Sequence, residues 1–351
     1  MRIGIAFDLA PAIGSSDGPD DRYEEYDKPE TVEALARVLR DEGHEVILLG
    51  DGRAFLERVL ADPPDFVWNL AEGEGIGRCR EARVPATLEM LGIPCTGSDP
   101  LTLAAALDKD VAKQLVAARR LEVPYHLAFH PDEPAGLVAA RLAGLAAHVA
   151  FPWLLKPAFE GSSKGIRTRS LVDSEAEACA LFHELARDYE QTILVEEYIA
   201  GDEVTVGIVG NGDEAEVIGT MRIVPRADAD RFVYSIELKR DWSRHVEYEI
   251  PALLAPEVEA VLEAAALEAY RALGCRDVAR IDYRIRDGVP YFLEANPLPG
   301  LAPDWSDLVI LAGGMGVSYP ALIRRILDAA LTRVGLASSV LGGTGVPPVL
   351  D

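Results

Sequence analysis

Residues 278–297 read Val278-Ala-Arg280-Ile-Asp282-Tyr-Arg-Ile-Arg-Asp-Gly-Val-Pro-Tyr291-Phe-Leu-Glu294-Ala-Asn296-Pro. Two strands are expected here, Val278 to Arg286 and Tyr291 to Ala295, because polar residues sit inside apolar runs at period two. That period sends Arg280 and Asp282 to one face, and Glu294 and Asn296 to one face. If the strands are neighbours, Asp282, Glu294 and Asn296 converge. Oxygen donors of this kind suit Mg²⁺, which takes one or two carboxylates together with phosphate oxygens. Arg280, on the Asp282 face, offers a fork to phosphate or to a developing oxyanion. The bland alternative is a self-satisfied arginine–carboxylate network. Two carboxylates and an amide are an odd set to bury without a cation, which favours the metal.

Upstream lie three weaker pieces. Phe159-Glu-Gly-Ser-Ser-Lys-Gly165 has glycines for a sharp turn, two hydroxyls and a lysine, the equipment of a phosphate cradle. It is neither a GxxxxGK[ST] loop nor a GxGxxG fingerprint, and most such stretches are simple turns. Leu154-Leu-Lys156-Pro ends an apolar strand in a lysine that needs an anionic partner, unless it snorkels to solvent. Leu194-Val-Glu196-Glu197-Tyr-Ile199, followed by Gly201-Asp-Glu203, is a strand running into a loop. Such a segment can present backbone groups to a purine edge and carboxylates to a ribose; an acidic surface turn explains it equally well. Lys109 alone is an ordinary helical lysine.

The chain has 351 residues, enough for two or three lobes, with 58 acidic against 34 basic side chains and a formal charge of -24. Nucleic acid and anionic membrane are therefore poor partners. Cys79, Cys95, Cys179 and Cys275 make no CxxC pair and lie in or beside apolar stretches, so they are expected as small core residues. The histidines form no HExxH pattern. The start, Met1-Arg-Ile-Gly-Ile-Ala, is too short an apolar run for a signal peptide, and Gly136 to Leu155 contains Arg141 and His148, too polar for a spanning helix. A cytoplasmic location is expected.

Arg2 to Asp8 reads as a buried strand, followed by a polar loop from Gly14 to Asp27. A helix follows with Asp27 as cap, Pro29 in its first turn, Val32, Leu35, Ala36 and Leu39 on one face, and Gly43 at its end. Strands at Glu45 to Leu49 and Asp65 to Asn69 imply a parallel sheet. Helix is expected over 101–120, Glu175 to Tyr189, Pro256 to Leu273 and Tyr319 to Thr332. Further strands are expected at Tyr125 to Phe129, Trp153 to Pro157, Thr192 to Tyr198, Glu203 to Val209 and Glu216 to Ile223.

In order, Lys109, Lys156, the 161–165 loop, Glu196 to Glu203, Arg280-x-Asp282 and Glu294-x-Asn296 resemble the ATP-grasp superfamily, most closely the D-alanine–D-alanine ligases. The likeness is most specific in Leu88-Glu-Met-Leu-Gly-Ile-Pro-Cys-Thr-Gly-Ser98, Leu107-Asp-Lys109, Lys156-Pro and Pro299-Gly300. It implies an α/β fold of three lobes: a Rossmann-like parallel sheet at 1–100, a lid domain at 101–199 and a catalytic domain at 200–335, with a flexible tail at 336–351. ATP would lie between the two β-rich lobes. By the same resemblance Lys109 and Lys156 hold the α- and β-phosphates, and Ser162 and Ser163 close over the γ-phosphate. Glu196, Glu197 and Ile199 line the adenine pocket, and Glu203 takes the ribose. Asp282, Glu294 and Asn296 bind two Mg²⁺ ions, with Mn²⁺ as a substitute. Arg280 and the backbone near Gly300 hold the tetrahedral intermediate, while Lys239 reaches the γ-phosphate. A homodimer is implied as well.

Departures cluster on the amino-acid side. The family's Glu-x-x-Val-Ser motif is absent between Asp8 and Asp27. Its tyrosine after the loop lysine is Arg240, its His-Gly is replaced by Ala71-Glu72-Gly73, and Asn296 is followed by Pro-Leu-Pro-Gly-Leu301 with Asp304-Trp-Ser306 beyond. The expected activity is carboxylate–amine ligation through an acyl phosphate, on small amino-acid or peptide substrates held in an altered pocket, whether that of an unusual D-alanine–D-alanine ligase or of a related amino-acid or peptide ligase. The alternative is a nucleotide-binding relative kept for sensing or scaffolding.

Overall fold

The computed structural model describes residues 1–11, 18–226 and 231–336. The expected flexible tail falls outside the described residues from 337 onward, as does part of the polar loop after the first strand.

Three parallel strands, β1 (Arg2–Ala6), β2 (Glu45–Gly50) and β3 (Phe66–Asn69), pair in the order β2-β1-β3. Period-two alternation decides the layers. Ile3 and Ile5 face a core shared with α1 (Pro29–Asp41), whereas Ala6 joins Leu49 and Val67 against α2 (Gly52–Ala61) and α3 (Arg83–Leu91). The strand is shorter than its apolar pattern, because Asp8 leaves the sheet to accept from the Gly73 N–H. Pro29 does open α1, but Asp27 does not cap it. Its backbone is spent bridging Asp8 and Ala10, and Lys28 takes the cap position without a side-chain bond.

The helix expected over 101–120 is two, α4 (Pro100–Leu107) and α5 (Lys109–Ala117). Asp108 breaks it by turning its carboxylate back onto the N–H groups of Asp110 and Val111, capping α5. Ala112 and Val116 of α5 share a core with Val206, Ile281 and Phe292 of the large C-terminal sheet. The next sheet comprises β4 (His126–Phe129), β5 (Trp153–Pro157), β6 (Leu171–Val172) and β7 (Ile193–Glu197), antiparallel in the order β4-β7-β5-β6. Helices α6 (Ala135–Ala146) and α7 (Glu175–Tyr189) cover it with Leu142, Leu145 and Phe182.

The third sheet is also antiparallel, β10-β9-β8-β11-β12. Its strands are β8 (Asp202–Val209), β9 (Glu216–Pro225), β10 (Val246–Glu249), β11 (Val278–Arg286) and β12 (Val289–Asn296). Short helices α8 (Ile236–Arg240) and α9 (Trp242–His245) precede β10. One face packs on α10 (Pro256–Leu273); the other packs on α11 (Asp307–Gly314) and α12 (Tyr319–Arg333). Helix α12 also lies against α1, so the first and third sheets share one core. Periodicity missed α2, α3 and α11. Two contain or end in glycine, and α11 is an almost unbroken apolar run with no polar face to reveal a period.

Gly201 joins the second sheet to the third. Its φ is +133°, and an added Cβ would stand 1.9 Å from the Ile285 carbonyl oxygen. Gly201→Ala is expected to lower stability by about 2–3 kcal/mol, combining left-handed strain with a backbone clash. A urea-midpoint shift with an unchanged m-value checks this.

Of the cysteines expected in the core, only Cys275 is buried, and Cys79 is exposed. Its neighbours Arg80 and Glu81 turn inward, which leaves Cys79 on the outer side of the turn. Among the described residues no helix is long and apolar enough to cross a membrane.

Candidate active site

The alternation read at 278–297 becomes geometry through cross-strand register. Arg280 pairs with Asn296, and Asp282 with Glu294 on β12 and Thr205 on β8. Directly opposed residues share a face, so all four predicted side chains point the same way. Asn296 Nδ2 lies 3.2 Å from Asp282 Oδ2, and Thr205 Oγ1 donates to Asp282 Oδ1 at 2.7 Å. Arg280 forks onto Asp282 at 2.9 and 3.1 Å, and its remaining nitrogen donates to Asp307 at 3.0 Å. Among the described residues no three His, Cys, Asp or Glu side chains are grouped to hold a metal. The set here is two carboxylates and an amide, hard oxygen donors that fit Mg²⁺ better than a softer ion.

Two cavities meet on this face. One, about 470 Å³, reaches the first sheet; the other, about 80 Å³, runs between β5, β7 and β8. Ser162, Lys239, Arg280, Glu294 and Asp307 line both. Lys156, Ser163, Glu196, Glu197, Ile199, Glu203 and Asp282 line the smaller one; Lys109, Asn296 and Gly300 line the larger.

The basic residues are all held by carboxylates. Lys156, only 3% exposed, sits 2.7 Å from Glu196, and Lys109 sits 3.4 Å from Glu294 while also donating to the Glu160 carbonyl. Lys239 lies 3.6 Å from Asp307. Glu203 pairs with Arg284 at 3.0 Å, Glu197 with Arg286 at 2.5 Å, and the Ile199 carbonyl accepts from Arg284. Ser162 and Ser163 both adopt left-handed backbone, with φ of 49° and 59°, and the Ser163 hydroxyl donates to the Tyr234 carbonyl. Consecutive non-glycine residues in that region hold strain at the turn of the loop.

Several partners were invisible to the sequence reading. Lys113, wholly buried, lies 3.3 Å from Glu196 and donates to the Leu293 carbonyl at 2.7 Å. Its spacing from Lys109 and Val116 places it on the inner face of α5, a signal that could have found it. Asp307, which binds both Arg280 and Lys239, is the acidic first residue of α11. Glu25, in the loop where no family motif was found, accepts from Arg80 at 2.9 Å, from Lys164 at 2.9 Å and from the Gly161 N–H. Lys164 and Gln191 also bond Glu160. The 161–165 loop is thus fastened to the segment after the first strand by buried, charge-assisted bonds. Arg240, where the family carries tyrosine, bridges Asp20 and Glu24.

Burial alone would push the Glu196 carboxyl up, but Lys113 and Lys156 hold it down to about 2. Glu294 behaves alike, burial opposed by Lys109, Lys156 and Arg280, and also reaches about 2. Burial lowers the Lys113 ammonium to about 8 against the pull of Glu196. Free glutamate titrates near about 4.3. A carboxylate held below that value contributes stability above it and loses the contribution as pH falls through the folded value. The urea midpoint is therefore expected to decline between about pH 4.5 and pH 2. Glu196→Gln and Glu294→Gln are expected to flatten that decline.

A sequence model of the family described as D-ala D-ala ligase C-terminus matches residues 115–328. A D-alanine–D-alanine ligase from a Synechococcus strain (JA-2-3B'a(2-13)) is 34% identical over 313 residues, spanning 88% of this chain and 90% of the relative. One from Geotalea uraniireducens is 35% identical over 302 residues, spanning 86% and 90%. Among solved structures, the D-alanine–D-alanine ligase of Bacillus anthracis complexed with ATP superposes with a TM-score of 0.70 at 24% identity, over 95% of this chain and 97% of that one. A D-Ala:D-Ser ligase from Enterococcus faecalis gives 0.69 at 23% identity, over 94% and 99%. At these identities the structural matches speak for the fold, which is the mixed α/β arrangement of one parallel and two antiparallel sheets.

Proposed function

The chain belongs to the D-alanine–D-alanine ligase family and is an ATP-dependent ligase, and on that premise we propose that it activates a carboxylate as an acyl phosphate and joins it to an amine through an altered amino-acid pocket. The observation that carries the reading is the Arg280, Asp282, Glu294 and Asn296 set on one sheet face where the two cavities meet. The smaller cavity is the nucleotide end. Glu196, Glu197 and Ile199 border adenine there, and Glu203 takes the ribose. All four of these residues line the smaller cavity, which supports this. Lys109 and Lys156 hold the phosphates, with Ser162, Ser163 and Lys239 around the γ-phosphoryl group.

Asp282, Glu294 and Asn296 would hold Mg²⁺, two ions with Mn²⁺ as a substitute, and the metal neutralises phosphate charge when bound. A substrate carboxylate oxygen attacks the γ-phosphorus in line, and ADP leaves. The amine then attacks the acyl carbon, and phosphate leaves. Arg280 and the backbone at Gly300 hold the oxyanion formed in between. An alanine at Gly300 would set its Cβ 2.8 Å from Ser306 Oγ, so glycine keeps this corner open. No side-chain nucleophile is required, since the work is positioning and charge stabilisation.

The proposed division is 1–100 for the substrate-binding lobe, 101–199 for the lid and 200–335 for the catalytic lobe. A homodimer in the cytoplasm completes the reading. The sensing or scaffold alternative draws no support from relatives that are ligases. The test is phosphate release from ATP and Mg²⁺ against D- and L-amino acids and dipeptides, with products read by mass. Release that requires an acid and an amine, with a matching amide product, supports the proposal. Release driven by D-alanine as efficiently as by any other acid would remove the altered pocket from it.

A further inference from the structure

The larger cavity meets the first turn of α1, where three hydrogen-bond donors stand without acceptors. Lys28, Glu30 and Thr31 line it there. Pro29 has no N–H, and the Glu30 N–H bonds no acceptor among the described residues, because Lys28 in the cap position has no side-chain oxygen to offer. Thr31 is 4% exposed, yet its hydroxyl bonds nothing among the described residues. Thr87 turns its hydroxyl onto the carbonyl one turn back; for Thr31 that carbonyl, of Asp27, accepts from the Ala10 N–H instead. The Thr31 hydroxyl is not sealed off like those of Tyr283 and Tyr319, so its open side is the cavity. The third donor is the Lys28 ammonium. Every other lysine of the chain pairs with a carboxylate. Lys28 makes no ion pair among the described residues and lies over the Trp305 ring of the same cavity, 5.8 Å from its centre. The indole face positions the ammonium and leaves its N–H donors unspent. Donors gathered at a helix N-terminus call for an acceptor with negative charge. Burial pushes the Asp27, Glu72 and Glu81 carboxyls of the same wall up, so they repel an anion less than free carboxylates would. Glu30 is exposed, and water and salt screen its charge.

We infer that this corner receives the carboxylate that ligation leaves free, so that the amine substrate is an amino acid or peptide recognised by Lys28, Thr31 and the N-terminus of α1. The inference rests on the ligase reading, in which the acid's own carboxylate is consumed in the amide and the phosphates lie with Lys109 and Lys156. The anion left for this end is the carboxylate carried by the amine. Trp305 stands in the stretch after Asn296 where the chain departs from its family, so this recognition belongs to the chain's own residues.

Product-like dipeptides isolate that carboxylate, because the acid's own is already an amide. Calorimetry with Mg²⁺ and ADP compares the alanine and leucine dipeptides, each as D,D and L,L forms, with their C-terminal carboxamides. At least one dipeptide is expected to bind about tenfold or more tightly than its carboxamide, through charge-assisted bonds. Lys28→Met is expected to erase most of that preference and Lys28→Arg to keep it; Lys28 is exposed, so neither change threatens the fold. Thr31→Val, which exchanges the hydroxyl for a methyl, is expected to reduce the preference about threefold. Equal binding of every dipeptide and its carboxamide, or a preference that survives Lys28→Met, would overturn the inference. Phosphate release against the amino-acid and dipeptide panel reports on the ligase reading separately, so the two failures are distinguishable.

Discussion

Arg280→Met is expected to reduce turnover about 100- to 1,000-fold, the loss typical when a preorganised oxyanion donor is removed. The guanidinium is buried and forks onto Asp282 while reaching Asp307, so its position is fixed before substrate arrives. Burial works against its charge, but Asp282 and Asp307 outweigh burial and keep it protonated. Arg280→Lys separates charge from geometry. It keeps the cation but loses the planar fork, and most of the rate loss is expected to remain. Single-turnover phosphate release measures both variants, with ATP affinity measured alongside to show that the loss lies in the chemical steps.

Arg80→Met carries the largest expected loss of stability, about 3–5 kcal/mol, because it strands buried carboxylates. Arg80 is 2% exposed and binds both oxygens of Glu25, with Glu160 at 3.5 Å. Lys164 remains to share Glu25 and Glu160, which keeps the cost from rising further. Glu25 also accepts from the Gly161 N–H, so the 161–165 loop is expected to loosen as well. Urea unfolding gives the magnitude, and proteolysis within 159–165 reports the loop.

That the candidate site residues share one face was legible in the sequence for a physical reason. Arg280, Asp282, Glu294 and Asn296 lie on two adjacent strands, where period two fixes the face and apolar neighbours make each polar residue conspicuous. The fastening of the loop was not legible. Glu25 and Arg80 are far apart in the chain, and each sits among other charged residues, so nothing local marks them as buried partners. The same holds for Asp307, hidden at the head of an apolar helix with no period. Asp108 misled because its role is local competition with the helix backbone, which propensity over a long window averages away.

The most direct test of acyl-phosphate chemistry is the fate of a heavy-oxygen label in the substrate carboxylate. Whichever acid supports turnover is labelled in both carboxylate oxygens and incubated with ATP, Mg²⁺ and the amine. The account predicts that each amide formed sends one labelled oxygen into the released phosphate, because that oxygen is the atom that attacks the γ-phosphorus. A labelled amide formed beside unlabelled phosphate, with the other heavy oxygen in AMP or in water, would contradict it.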